Sequence, residues 1–576
     1  MDSSKKDLTV ITSCEQLPVQ VSPESSIGEN VINNAGSVSE SMEKENNENA
    51  DDANAVEIPF QTKAIIAILM LLTLMCSFET TSISVSLPYM TDDLNGTSTQ
   101  AVWVGAAFLL TSAVFQPLIS SLSEIFGRLA LTMTSISFFF IGSAVGGSAP
   151  NMTAVIIGRA LQGVGAGGIL SLVEIIIADL IPLRVRGVYY SLLGCMWAIG
   201  GACGPLMGGG FTSKVTWRWI LYINLPIAGI CAGLTPIFLR LQLQEKSFKQ
   251  KLKEIDYIGM IIFTSAGTSL LLGISFGGVM YPWKSYNVIL PLILGFVGII
   301  AFGFYEAYYA KYPMIRLAIF LHPVAIFGYV QIILHAIVFC CILYFLPYYF
   351  EGVKGYSALI SGVAILPMSV TCSPSSILSG YIINWTGKYA LLSWISWAIL
   401  TAGTGILVCL KPENTAGQNI GYLILGGFGT GLIFTISNII VLVPNTNENT
   451  PYAASMLSFL RVLGQSFGVA IGGSVFSNTF AKQLVQYPEL KASLQGYSGG
   501  DPVGLIKVVS SMPDSENKTL LVNGLSSSIQ MVWWCMLAFA SAGFLLNIFI
   551  RDMSMNIEYE AAQNVVSKPE KDIEKN

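Results

Sequence analysis

Beyond about residue 60 the chain alternates between long apolar runs and short polar breaks. The runs centre on 65–87, 101–121, 129–148, 154–177, 188–210, 218–239, 257–277, 288–308, 325–345, 359–381, 389–409, 420–442, 453–476 and 527–549, fourteen in all. Each holds about 20 residues, the length an α-helix needs to cross roughly 30 Å of hydrocarbon. A segment in lipid must satisfy its own backbone groups, so these runs read as helices and not as strands of an open sheet. The expected fold class is an all-α polytopic membrane protein. Residues 1–62 differ. They are rich in Ser, Asn and Glu, lack apolar periodicity and read as a disordered acidic cytosolic tail. No short apolar segment with a cleavage site opens the chain, so the run after Lys63 is expected to act as an uncleaved signal anchor.

Composition sharpens this picture. Hydrophobic residues make up 53% of the chain and charged residues only 11%, against about 25% charged in soluble domains. A soluble globular protein, a nucleic-acid binder and a disordered chain are excluded as the main reading. The net charge of -5 hides an asymmetry: residues 1–60 hold twelve acids and three lysines, so the remainder is mildly basic at +4. With the N-terminus inside, nineteen of the thirty basic residues fall in inner segments, led by Arg240, Lys246, Lys249, Lys251 and Lys253. This bias sets the orientation. The sequons at Asn95, Asn151 and Asn517 then lie outside as glycosylation candidates, with Asn151 close to the membrane, while Asn384 lies inside. The expected plan is a six-helix bundle over 63–240, a basic cytosolic loop at 241–256, two inserted helices over 257–308, a second six-helix bundle over 322–550 with an external loop at 480–525, and a cytosolic tail at 551–576.

None of the ten cysteines forms a C-x-x-C pair, and they read as small buried hydrophobes. His322 and His335 are the two histidines, too few for a zinc or multi-haem enzyme. No metal, no cofactor and no enzymatic activity are expected.

Two turns share one spacing. Ser120, Leu122, Glu124, Gly127 and Arg128 follow helix 2; Gly380, Ile382, Asn384, Gly387 and Lys388 follow helix 10. The copies lie 260 residues and eight helices apart, so both face the cytosol. This is the mark of a duplicated bundle. A tight charged turn of this kind can latch a helix pair to its neighbour and release when the halves rock. Helix 4 carries Gly158, Arg159, Gln162, Gly163, Gly165, Gly167 and Gly168. Its Arg159 either snorkels to the interface or faces a wet cavity or a partner, and its glycines allow close helix approach. No Gly-Lys-Ser/Thr follows, and Gly387-Lys388 runs into Tyr389, so an ATP-driven pump is disfavoured. Helix 5 aligns Gly200, Gly204 and Gly208 on one face, with Gly209 beside them and a bend at Pro205, and a side chain on that face is expected to push the two halves apart. Glu79 is the one acid well inside helix 1. It lies about 13 Å deep and Arg159 about 9 Å deep from the same face at 1.5 Å per residue. The two depths are close.

These motifs resemble those of the major facilitator superfamily. Ser120 stands where its signature loop has Gly and Glu124 where it has Asp, and the bases that often follow are missing, which implies a weaker inner latch. The helix-5 glycines match the motif of its proton-driven exporters. Phe78 to Pro88, including Glu79 and Ser84, is similar to the helix-1 motif of the fungal-type, fourteen-helix drug:proton antiporters. Trp217-Arg218-Trp219 with Ile223-Asn224-Leu225-Pro226, Asp256 to Gly259, and Pro347 to Ser357 agree with that family. The resemblance implies two six-helix halves with helices 7 and 8 inserted between them. In this plan helix 9 lines a cavity, which makes His335 and Gln331 candidates there, with Arg461 of helix 13 a third. Helices 1 and 4 line it too, so the resemblance and the matched depths imply that Glu79 and Arg159 meet in one state of the transport cycle and couple it to protons. Arg461 in helix 13 contacts an anionic group or the backbone, and Glu174 is expected to snorkel at the inner end of helix 4.

The implied function is export of small, toxic, amphipathic or cationic organic compounds in exchange for protons, by alternating access, from a monomer in the bilayer and more readily at the plasma membrane than at the vacuole. One rival is a proton-coupled carrier of basic amino acids at the vacuole, or of siderophores. A second is a non-transporting membrane sensor, which would need neither Glu79 nor the helix-5 glycines.

Overall fold

The computed structural model describes residues 59–240, 247–278, 280–445, 448–486, 509 and 512–555. Most of the acidic tail, Lys246, the middle of the 480–525 loop, the last 21 residues and the side chain of Ser84 lie outside the described parts. Fourteen helices are long and apolar enough to span a membrane. In chain order they are α1 Phe60–Asp93, α2 Ser98–Phe126, α3 Arg128–Gly147, α4 Met152–Leu180, α5 Leu183–Lys214, α6 Arg218–Phe238, α7 Tyr257–Phe276, α8 Tyr286–Tyr308, α9 Pro323–Tyr348, α10 Ala358–Thr386, α11 Ala390–Leu407, α12 Ala416–Leu442, α13 Thr450–Gln486 and α14 Glu516–Leu546. Among the described residues no strand forms.

Local chemistry sets the helix ends. Thr97 with Gln100, and Thr415 with Gln418, form capping boxes at α2 and α12. Asn151, Asp256, Ser285 and Ser357 accept from first-turn backbone N–H groups of α4, α7, α8 and α10. The two motif turns are much shorter than the expected loops. Residues 120–126 and 380–386 continue α2 and α10 as helix. The chain reverses at Gly127 (φ 95°) and Gly387 (φ 63°), backbone conformations that glycine adopts without a Cβ clash. α6 is expected as one helix but breaks at Ile223 into Arg218–Tyr222 and Asn224–Phe238. α13 runs past 476 to Gln486, and α14 starts at Glu516 and not at 527, capped by Ser515. Asn517 therefore sits in the first turn of α14 and not in a loop, whereas Asn95 is exposed in the α1–α2 turn and Asn151 is exposed at the α4 cap.

Helices α1–α6 form one bundle and α9–α14 another, with α4 and α12 the most deeply buried member of each. The halves meet where α5 runs along α10 and where α2 and α4 run along α13. α7 and α8 pair with each other; α7 leans on α2 and α13, and α8 shows Ile293, Leu294, Phe296, Val297 and Phe304 to the outside, a lipid-facing surface. An even number of spans predicts both termini on one side. Tags at the N- and C-terminus should be protected together in intact cells and exposed together on permeabilisation; a C-terminal tag accessible from outside would contradict the fourteen-span path.

Candidate functional site

Five helices of the first half converge on one buried carboxylate. Glu79 on α1 is 0% exposed and Arg159 on α4 is 2% exposed. Arg159 Nη1 donates to Glu79 Oε1 and, at 2.9 Å, to Gln162 Oε1. Its Nε donates to the Val104 carbonyl of α2 at 3.2 Å, and the guanidinium lies 4.2 Å over the Phe108 ring. Asn224 on α6 donates Nδ2–H to the other oxygen, Glu79 Oε2, and Gln162 donates to Ser143 of α3 at 2.8 Å. Both carboxylate oxygens thus have donors and the guanidinium is held on several edges. A buried ion pair survives its desolvation penalty only with such added hydrogen bonds.

The glycines of α4 explain the depth of Arg159. A Cβ at Gly158 would lie 2.6 Å from the backbone N of Gly146 on α3. A Cβ at Gly163 or Gly167 would overlap the carbonyls of Phe108 or Ser112 on α2. Without side chains there, α4 wedges between α2 and α3 at backbone contact, and the two long polar side chains of the segment, Arg159 and Gln162, are buried. The break at Ile223 brings Asn224 to the same level. In the sequence Asn224 and Gln162 stand inside the motifs with no role of their own. A lone amide in an apolar span was the available signal for each.

The sequence model of the Major Facilitator Superfamily matches residues 69–472. The chain belongs to this superfamily. It is 39% identical over 508 residues to a protein named "MFS transporter L2" from Phoma sp., covering 88% of this chain and 85% of that one. It is 32% identical to "Efflux pump FUS6" from Gibberella fujikuroi, over 86% of this chain and 90% of the pump. Among solved structures, the major facilitator proton:xylose symporter XylE aligns with a TM-score of 0.52 at 13% identity, covering 83% of this chain and 94% of the symporter. That likeness speaks for the fold. This major facilitator protein is therefore a multi-pass membrane transporter that acts on small molecules and is not an enzyme.

The remaining motif residues of the transporter fall in three places. At the α2–α3 turn Arg128 is fully buried. It donates to Glu124 at 2.6 Å, to Asp179 of α4 at 3.0 Å and to Ser123. Asp179 was missed in the sequence; it is the acid at the end of α4 that the shortened turn brings into reach. The second copy is not equivalent. Lys388 is exposed and has no ion pair with any described residue, and Asn384 Oδ1 has no donor. There Asp552 instead accepts from the backbone N–H groups of Tyr389 and Ala390 at 2.7 and 2.8 Å. An amide at 384 carries no charge to hold the lysine.

The α5 stripe faces α1 within the same half. Cβ atoms at Gly200, Gly204 and Gly208 would strike Ser77, Thr81 and Ser82, and Gly209 is buried beside them. The expectation that this stripe spaces the two halves is corrected: Gly187 and Gly194 carry the approach to α10 and α12, with Pro205 against Gly362 of α10. Glu174 does not snorkel. It is buried and accepts from Arg461 Nη1 of α13 at 2.9 Å, so Arg461 contacts an acid and not the backbone. Of the other two cavity candidates, Gln331 donates to the Gly543 carbonyl of α14 at 3.2 Å, which ties α9 outward. His335 is buried beside Phe339 with Nε2 unpartnered. Near the C-terminal end of α1, beyond the apolar span, Asp93 accepts from Trp217 at 3.0 Å and Arg218 at 2.9 Å, and these donors hold its carboxyl below the usual range.

Proposed function

We propose that this transporter exports small organic compounds in exchange for protons by alternating access, as a monomer at the plasma membrane. The observation that carries the reading is the Glu79–Arg159 pair, buried at the meeting point of α1, α2, α3, α4 and α6. A carboxylate in that setting needs a cation or a proton beside it, because an unpaired buried charge costs several kcal/mol. While Arg159 and Asn224 hold Glu79, the proton is displaced. When the helices shift and Arg159 withdraws, a proton takes its place as the neutralising partner. The exchange ties proton binding to the position of α1 relative to α4, and hence to which side of the membrane the cavity faces. The Arg128 cluster, which joins α2, α3 and α4 at the basic end, acts in this reading as the latch of the first half.

The test is compound accumulation in cells that lack their own exporters, measured at two external pH values. Acidification outside should strengthen export. Arg159→Lys is expected to retain only part of the activity, with a drop of roughly tenfold, because an ammonium cannot bond Glu79, Gln162 and Val104 at once as the planar fork does. Full activity in Arg159→Lys would remove the guanidinium geometry from the mechanism.

A further inference from the structure

A second ion pair lies outside the proton site and joins the two halves. Glu174 of α4 and Arg461 of α13, paired at 2.9 Å, line a small cavity together with Thr73, Trp197 and Ser458. The two partners are supported very unequally. Arg461 Nη2 donates to Asn438 Oδ1 of α12 at 2.7 Å, and its guanidinium lies 4.3 Å over the Phe434 ring, also on α12. Helices α12 and α13 belong to the same half, so Arg461 keeps both supports when the halves part. Among the described residues the Glu174 side chain bonds to Arg461 alone, and its Oε2 is buried without a partner. Separation at this level therefore leaves a braced guanidinium with one edge free toward the cavity, and opposite it a carboxylate with no donor.

We infer that Arg461 anchors an acidic group of the transported compound, which takes the place of Glu174, while Glu174 accepts from a hydroxyl or amine on the same molecule. The ligand class is a small organic acid, a carboxylic or enolic acid carrying a hydrogen-bond donor a few bonds away. A planar carboxylate matches the guanidinium fork with two parallel hydrogen bonds. A simple cation is disfavoured, because Arg461 stays in the cavity when Glu174 is free. An acid that occupies Arg461 also prevents the cross-half pair from re-forming, so its presence holds the halves apart at this level. For its transport consequence the inference rests on the export reading, but its test reads binding alone.

The experiment measures thermal stability of the purified full-length protein in detergent with three matched probes: 3-hydroxybenzoate, its methyl ester and 3-hydroxybenzylamine. The acid should raise the melting temperature in a saturable way, and the ester and amine should not. Glu174→Gln removes the competing carboxylate and should lower the half-saturating acid concentration by about tenfold. Arg461→Lys keeps the charge and the fold but loses the fork, and should raise it by about tenfold. Arg461→Gln should abolish the shift. No shift with the acid, an equal shift with the ester or amine, or an unchanged response in Arg461→Lys and Glu174→Gln would overturn the inference. Acid binding in a protein that exports nothing would instead sink the export reading and leave the anchor standing.

Discussion

Gly204→Val is expected to abolish transport while leaving the protein in the membrane. In the structure a Cβ at this position overlaps Thr81 Oγ1 and lies 3.0 Å from the Ser82 backbone N. Valine adds two further methyl groups to that clash. Overpacking of this kind costs about 1–3 kcal/mol, which a fourteen-helix bundle takes up by displacing a helix and not by unfolding. The helix displaced is α1, and Glu79 sits two residues before Thr81 on it. The effect is thus delivered to the proton site: moving α1 off α5 shifts Glu79 relative to Arg159. Gly201→Ala supplies the control on the same helix, because a Cβ there meets nothing within 4 Å. The measurement is compound efflux at matched surface expression. Transport in Gly204→Val equal to that of Gly201→Ala would reduce the stripe to ordinary packing.

Glu79→Gln is expected to keep the fold and remove the pH dependence of export. Glutamine preserves the shape and can still accept from Arg159 through its carbonyl oxygen, but it cannot exchange a proton. A pH difference of one unit is worth about 1.4 kcal/mol per proton, enough to hold a roughly tenfold concentration ratio in a one-for-one exchange. The wild-type protein should sustain a ratio of that order across a one-unit gradient. The variant should let the compound equilibrate to a ratio of about one under the same gradient. Protein lost from the membrane would show in its surface signal, so a folding defect is read separately. An unchanged pH profile in Glu79→Gln would move the proton site elsewhere.

Much of this architecture was legible in the sequence, because lipid permits few alternatives. The fourteen apolar runs became fourteen helices, and the depth arithmetic that paired Glu79 with Arg159 met a contact in the structure. What failed to read through depends on packing between segments distant in the chain. Periodicity counts residues along one helix and does not say which neighbour a face meets. The α5 glycines were therefore assigned to the wrong interface, Glu174 was taken for a snorkelling end residue, and Gln331 was placed in the cavity. Asp179 and Asn224 entered the charged clusters through a one-residue turn at Gly127 and a helix break at Ile223. Both breaks are single-residue events inside otherwise apolar stretches. The duplicated turn shows the same limit from the other side: equal spacing in the two copies did not give equal bonding, because Asn384 lacks the charge that Glu124 supplies.

The central claim, that export is exchanged for protons through Glu79, is tested most directly by proton flux in a reconstituted system. Purified protein is placed in liposomes loaded with a pH-sensitive dye and with a compound identified in the efflux screen, and the compound is allowed to leave down its own gradient with no initial pH difference. The account predicts that the lumen acidifies as the compound exits, and that Glu79→Gln liposomes release compound without acidification. Release of compound by the wild-type protein with no change in lumenal pH, or acidification of the same size in Glu79→Gln, would contradict it.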